Sequence, residues 1–126
     1  MNLPEELKYT KDHEWTRVNN DEVIVGITDY AQSELGDIVY LELPEVGSNV
    51  SRGESFGTIE AVKAVSDLFA PLSGEITAVN NQLNDSPEVI NSDPYGDGWM
   101  IKIKLENQDE LSELLTSAEY QKLIES

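Results

Sequence analysis

The stretch Gly57-Thr58-Ile59-Glu60-Ala61-Val62-Lys63-Ala64-Val65-Ser66-Asp67 surrounds one lysine with small and β-branched residues, and between Val18 and Ile101 the only other basic residue is Arg52. For an arbitrary lysine the expectation is an exposed hairpin residue paired with Glu60 or Asp67, a surface ion pair that contributes little stability. Two features point elsewhere. No other lysine competes with Lys63 across the central chain, and Ala61, Val62, Ala64 and Val65 leave its side chain unhindered. An enzyme that acylates one lysine and ignores the others needs an accessible amine on a rigid projection, held by strands on either side. Val62-Lys63 contains none of the usual turn residues, so the turn itself is unmarked.

Outward from Lys63, most apolar runs are short, alternating or β-branched, with glycine, proline and asparagine between them, which is the pattern of many short strands. The fold class expected is mainly β. Val23–Ile27 reads as a buried strand, and Val39, Leu41 and Leu43 are expected on one face of another, with Tyr40 and Glu42 opposite. Trp99, Ile101, Ile103 and Leu105 repeat that alternation, with Lys102 and Lys104 outward. Phe56–Ile59 and Glu75–Val79 are further strands, the second after the turn-like Pro71-Leu72-Ser73-Gly74.

Helices are expected to be few and short. Asp29 with Gln32 forms a capping-box pattern opening Tyr30 to Leu35, which Gly36 ends. Ser86 before Pro87 is a weaker start. Asn80 to Gly98 reads as a non-apolar linker whose 91–98 segment predicts consecutive turns. From Asp109 the chain turns helical, with Leu111, Leu114 and Leu115 on one stripe and Tyr120, Leu123 and Ile124 on another. Thr116 and Glu119 make a second capping box, so two short helices over about 109–124 are expected to pack against the strands.

The chain has 126 residues, the length of one domain, and we expect a single unit over 1–126. Eight Lys and Arg stand against 25 Asp and Glu, a formal charge of −17. Nucleic acid and anionic membrane surfaces repel such a protein; basic protein faces attract it, and the charge favours a monomer. There is no cysteine, which excludes a disulfide framework, thiolate metal sites and a cysteine nucleophile. The N-terminus lacks the basic and apolar segments of a signal peptide and is too acidic for a transit peptide. No stretch approaches the roughly 20 apolar residues of a membrane span. A cytoplasmic protein of bacterial type fits, as does a mature mitochondrial chain.

One histidine, no cysteine and few basic groups leave little for nucleophile and base pairs, so a non-enzymatic role is expected. Abundant carboxylates generate close pairs by chance and do not by themselves indicate a hydrolytic dyad. Asp93 and Asp97 lack the alternation of a calcium loop and read as turn residues; no metal site is expected.

Four separated blocks carry a family resemblance. Glu60-Ala61-Val62-Lys63-Ala64-Val65-Ser66-Asp67 resembles the lipoyl-attachment segment of the glycine cleavage system H protein family, and Leu7–Trp15 resembles its N-terminal signature. Gly26–Gln32 and Asn91–Met100 are similar to further family blocks, in the same order and spacing. The match covers nearly the whole chain. Ala61 departs from the pattern, since many relatives carry serine there; both residues are small.

The resemblance implies a flattened β-barrel or sandwich of the lipoyl type, with Lys63 at the tip of a hairpin over about 55–70 and short helices outside. It implies lipoate as the cofactor, joined by an amide to Lys63 as N6-lipoyllysine. As a swinging arm it would accept an aminomethyl group from glycine decarboxylase, the P protein, and present it to the tetrahydrofolate-dependent aminomethyltransferase, the T protein. Dihydrolipoamide dehydrogenase, the L protein, would reoxidise it, and lipoate-attaching enzymes would install it. Glu14 and Asp67 are the candidates for a cleft that holds the aminomethyl arm, from their places in the signature blocks. For Asp67 simple solvation near the hairpin is an equal reading. His13 is expected to be a structural hydrogen-bonding residue, and Trp15 and Trp99 core or cleft walls.

Physical reasoning fits that scheme at two points. A carrier without cysteine cannot capture a dithiol arm by exchange, and tethering turns encounters into events governed by effective concentration. Alternatives are a lipoate-relay donor to other complexes, a lipoyl domain of 2-oxo acid dehydrogenases, a biotinyl domain, or an unmodified interaction protein. Biotin carriers typically place methionines beside the lysine, where Val62 and Ala64 stand here.

Overall fold

Alternating burial organises the chain into two antiparallel sheets that enclose one apolar core between them. The computed structural model describes residues 2–125; Met1 and Ser126, the ends of the expected unit, lie outside the described residues. The strands are β1 (Lys8–Tyr9), β2 (Glu14–Asn19), β3 (Glu22–Ile27), β4 (Ile38–Glu42), β5 (Asn49–Val50), β6 (Ser55–Ala61), β7 (Val65–Phe69), β8 (Gly74–Val79) and β9 (Ile101–Leu105). The larger sheet has the order β1-β2-β3-β9-β8-β5 and the smaller β4-β6-β7, so β7 is an open edge. Val23, Val25, Ile76, Ile101 and Ile103 face Leu41, Ile59 and Leu68 across the core. This is the mainly β sandwich expected, with its helices at the periphery.

A second, smaller cluster lies beside the first strands: Leu7, Tyr9, Trp15 and Tyr120, all fully buried. It joins the chain's beginning to its end. Leu115 bridges Tyr9 in strand fashion, with bonds of 2.8 Å in both directions, and Tyr120 of α4 (Ser117–Glu125) stacks on the Tyr9 ring at 4.9 Å.

Several expectations are corrected. In β4 a bulge between Ile38 and Tyr40 breaks the alternation. Ile38 and Leu41 are buried, whereas Val39 is 48% exposed, because an inserted residue turns its neighbour to the other face. Trp99 precedes β9 and packs on the small cluster, while Met100 enters the large core. Helix α1 (Asp29–Leu35) is capped by Thr28, whose hydroxyl accepts from the Ala31 N–H at 3.1 Å. Asp29 instead sits in the first turn, where the helix dipole favours an acid, and accepts from the Gln32 side chain.

The supposed linker contains two four-residue helices, α2 (Gln82–Asp85) and α3 (Val89–Ser92), each pinned by one buried apolar residue, Leu83 and Ile90. Ser86 ends α2 instead of starting a helix. A helix of one turn is too short to display a period, so its composition reads as loop. Of the turns expected over 91–98, those after Asp93 are present, with the Asp93 carboxylate accepting from the Asp97 N–H at 2.9 Å, whereas Asn91 and Ser92 belong to α3. From Gln108 to Glu113 the chain forms a 3-10 helix, and Leu114 is extended. Leu111 and Leu114 therefore reach the large core but Leu115 the small one. The Thr116–Glu119 capping box forms with both reciprocal bonds, at 2.9 and 3.2 Å.

Candidate functional site

Lys63 occupies the tip between β6 and β7. Glu60 pairs with Val65, and the Ala61 N–H donates to the Ala64 carbonyl at 2.8 Å, which leaves Val62 and Lys63 as the two loop residues. Among the described residues only His13 and Asn20 take positive φ without being glycine. The tip is therefore closed without a left-handed residue, and that is why no glycine or asparagine marks it. Val62 and Val65 flank the lysine at 73% and 68% exposure. Lys63 is exposed and forms no ion pair among the described residues.

The lysine stem leans on the end of α1. A Cβ built on Gly36, which caps that helix with φ +81°, would lie 3.0 Å from the Lys63 Cε. Glycine there serves both needs, the left-handed backbone and the close approach. The Val62 N–H also donates to the Asp37 carbonyl at 3.1 Å, which ties the tip to the chain leaving α1.

A groove of about 280 Å³ runs between α1, the start of β2 and the edge strand β7. Ile27, Ala31, Leu35, Ile59 and Leu68 form its apolar walls. Acids are set among them: Asp12, Glu14, Glu34 and Asp67. Glu14 also walls a larger cavity of about 540 Å³ on its other side, toward Leu114 and Leu115.

Glu14 is 2% exposed. Burial pushes its carboxyl up to about 8, against the opposing pull of a bond from the Thr10 hydroxyl. That bond is 2.8 Å long, and the Phe69 N–H, on the open edge of β7, reaches the other carboxylate oxygen at 3.4 Å. The Thr10 hydroxyl is itself held, accepting from the N–H groups of Asp12 and Glu14 at 3.2 Å each. Asp67 borders the same groove but differs in kind. It lies on β7 between Ser66 and the buried Leu68 and is exposed, where Glu14 is buried.

His13 lines the groove, its Nδ1 2.8 Å from the Tyr120 hydroxyl, and burial lowers its pKa. Trp15 is fully buried and donates from Nε1 to the Pro94 carbonyl at 2.8 Å. Opposite it stands Gly26, where a Cβ would come within 2.7 Å of the indole. Trp99 is half-buried, with Lys102 Nζ 5.3 Å from its ring. Neither tryptophan lines the groove.

The profile of the Glycine cleavage H-protein family matches residues 7–126. The chain belongs to this family. It is 55% identical over 124 residues to the glycine cleavage system H protein of Geobacillus kaustophilus, covering 98% of each chain. To that of Carboxydothermus hydrogenoformans it is 53% identical over 123 residues, covering 98% of this chain and 95% of the relative. The crystal structure of a glycine cleavage system H protein from Mycobacterium marinum superposes with a TM-score of 0.90 at 42% identity, covering 98% of this chain and 100% of that one.

Within this glycine cleavage H-protein fold, Thr28 and Tyr120 are the groove-side residues that sequence reasoning passed over. Thr28 caps the helix that walls the groove, and Tyr120 reaches it from a helix that contributes no lining residue. A threonine before Asp29 is a legible capping signal. For Tyr120 no local signal exists, because its partners lie 92 and 107 residues away.

Proposed function

We propose that Lys63 is the residue that carries the lipoyl group, in the carrier role that membership of the glycine cleavage H-protein family gives the chain. The observation behind this reading is the exposed amine at the hairpin tip, its stem lying where the α1 wall of an acid-set apolar groove ends. The groove suits the group: aliphatic walls for a hydrocarbon arm and carboxyls for an ammonium at its far end. When bound, lipoate supplies a disulfide that opens to take up a one-carbon amine unit and closes on reoxidation.

This chain's own residues supply binding and shelter. Ile59 and Leu68 offer apolar contact to the arm. Glu14, oriented by Thr10, faces a protonated amine with a carboxyl that gives up its proton as the cation arrives. Exclusion of water strengthens that pairing and protects the cargo from hydrolysis. Asp67, exposed on β7 at the border of the groove, adds negative potential near its mouth.

Catalysis belongs to the partners in this reading: glycine decarboxylase, the aminomethyltransferase, dihydrolipoamide dehydrogenase and the lipoate-attaching enzymes. Each meets the exposed hairpin, and the acidic surface steers basic docking faces toward it with on-rates that fall as salt rises. Among the described residues no helix is long and apolar enough to cross a membrane. The bacterial relatives support a cytoplasmic carrier. Intact mass and peptide mapping of protein from lipoate-fed cells are expected to find lipoyl on Lys63. Lys63→Ala is expected to abolish the glycine–carbon dioxide exchange of a reconstituted system. Biotin at Lys63, or undiminished exchange by the variant, overturns the assignment.

A further inference from the structure

We infer that Tyr120, on the C-terminal helix, is a positioning residue for the cargo groove: its hydroxyl ties the turn bearing Glu14 to helix α1 and so holds the two walls in register. The inference rests on the reading that the groove shelters the one-carbon amine. Tyr120 is fully buried and its ring stacks on Tyr9 at an interplanar angle of 8°. A phenylalanine would pack there as well. The hydroxyl is what is unaccounted for by packing, and it lies 2.8 Å from His13 Nδ1 and 2.8 Å from Thr28 Oγ1.

Each of those partners controls one wall. His13 immediately precedes Glu14 and holds φ +70°, a conformation that costs a non-glycine residue on the order of 1 kcal/mol. Its N–H donates to the Thr10 carbonyl at 3.1 Å, and its carbonyl accepts from the Thr28 N–H at 3.0 Å. Thr10 in turn holds the Glu14 carboxyl. Thr28 caps α1, which supplies Tyr30, Ala31, Glu34 and Leu35 to the other wall. The His13 ring also packs against Tyr30, with centroids 5.0 Å apart.

The protons can be placed in one consistent chain. The Thr28 hydroxyl accepts from the Ala31 N–H and donates to the Tyr120 oxygen; Tyr120 donates to Nδ1 of a neutral His13, which fixes the proton of that ring on Nε2. The three atoms of that chain, Thr28 Oγ1, Tyr120 Oη and His13 Nδ1, each have a partner, as a buried network requires. Removing the Tyr120 hydroxyl breaks both long-range bonds at once while leaving the ring stack in place.

The test uses lipoylated protein loaded with the one-carbon amine, with release of ammonia and formaldehyde into buffer as the readout. Tyr120→Phe is expected to release cargo about tenfold faster, a factor within what loss of its two hydrogen bonds carries at their modest net contribution, and to convert the His13 nitrogen-15 spectrum from a single tautomer to a mixture. Tyr9→Phe removes a hydroxyl from the same stack, one that bonds the Pro4 carbonyl, and is expected to leave release unchanged. If Glu14→Ala accelerates release but Tyr120→Phe does so no more than Tyr9→Phe, the positioning role is wrong and the groove reading stands. If Glu14→Ala also leaves release unchanged, the groove reading fails and takes the inference with it.

Discussion

The Lys63 tip and the Glu14 corner, joined through one groove in the proposed function, are built on opposite principles. Lys63 stands outside it on a two-residue loop, exposed between two exposed valines. Glu14 lies within, 2% exposed, between a left-handed histidine and a buried tryptophan, held by a threonine that is held in turn. A point of covalent attachment needs access and little else from the fold. A place for a charged cargo needs dryness and fixed partners, and these come only from buried neighbours of distant origin.

The contrast is open to direct attack, and the largest effect belongs to the corner. Trp15→Ala empties the small cluster and strands the Pro94 carbonyl, and is expected to cost about 3–5 kcal/mol in urea unfolding; a cost below about 1 kcal/mol would mean that the cluster is not a structural unit. Glu14→Gln comes next and depends on pH. The folded pKa of Glu14, about 8, lies above its ordinary value of 4.5. The native state therefore keeps a proton that the unfolded chain releases, and the associated stability is complete below about pH 4.5 and is lost as pH rises through 8. Glutamine stays neutral throughout, so the variant is expected to gain on the parent between pH 5 and 8 by an amount on the order of 1 kcal/mol or more. Parallel unfolding midpoints across that range would show that Glu14 is not the proton-holding group. The smallest effect is expected at the tip: Lys63→Ala should change stability by less than about 0.5 kcal/mol while removing carrier function. A larger loss would mean that the contact between the lysine stem and Gly36 supports the fold.

The same division governs what could be read in advance. The apolar strand Val23–Ile27, the isolation of Lys63 and the Thr116–Glu119 box were legible because each is written in residues close along the chain. The β4 bulge was not, since the apolar pattern Val39-Leu41-Leu43 suits an unbroken strand and only the pairing with β6 inserts the extra residue. Helices α2 and α3 escaped because one turn carries no period. Asp67 sat beside Lys63 in the signature block and Glu14 in another, yet nothing in either block distinguishes an exposed carboxylate from a buried one.

The sequence by itself determined a β-rich fold, through periodicity of order two, and singled out Lys63 as the lone lysine of the central chain; the carrier role came from the resemblance of four blocks to one family. Tertiary structure alone decided where the groove lies, that Glu14 and not Asp67 is buried beside it, and that a hydroxyl from the last helix bonds residues serving both of its walls. Burial and long-range hydrogen bonds are properties of what packs against a residue, and for Glu14 and Tyr120 those neighbours come from remote parts of the chain.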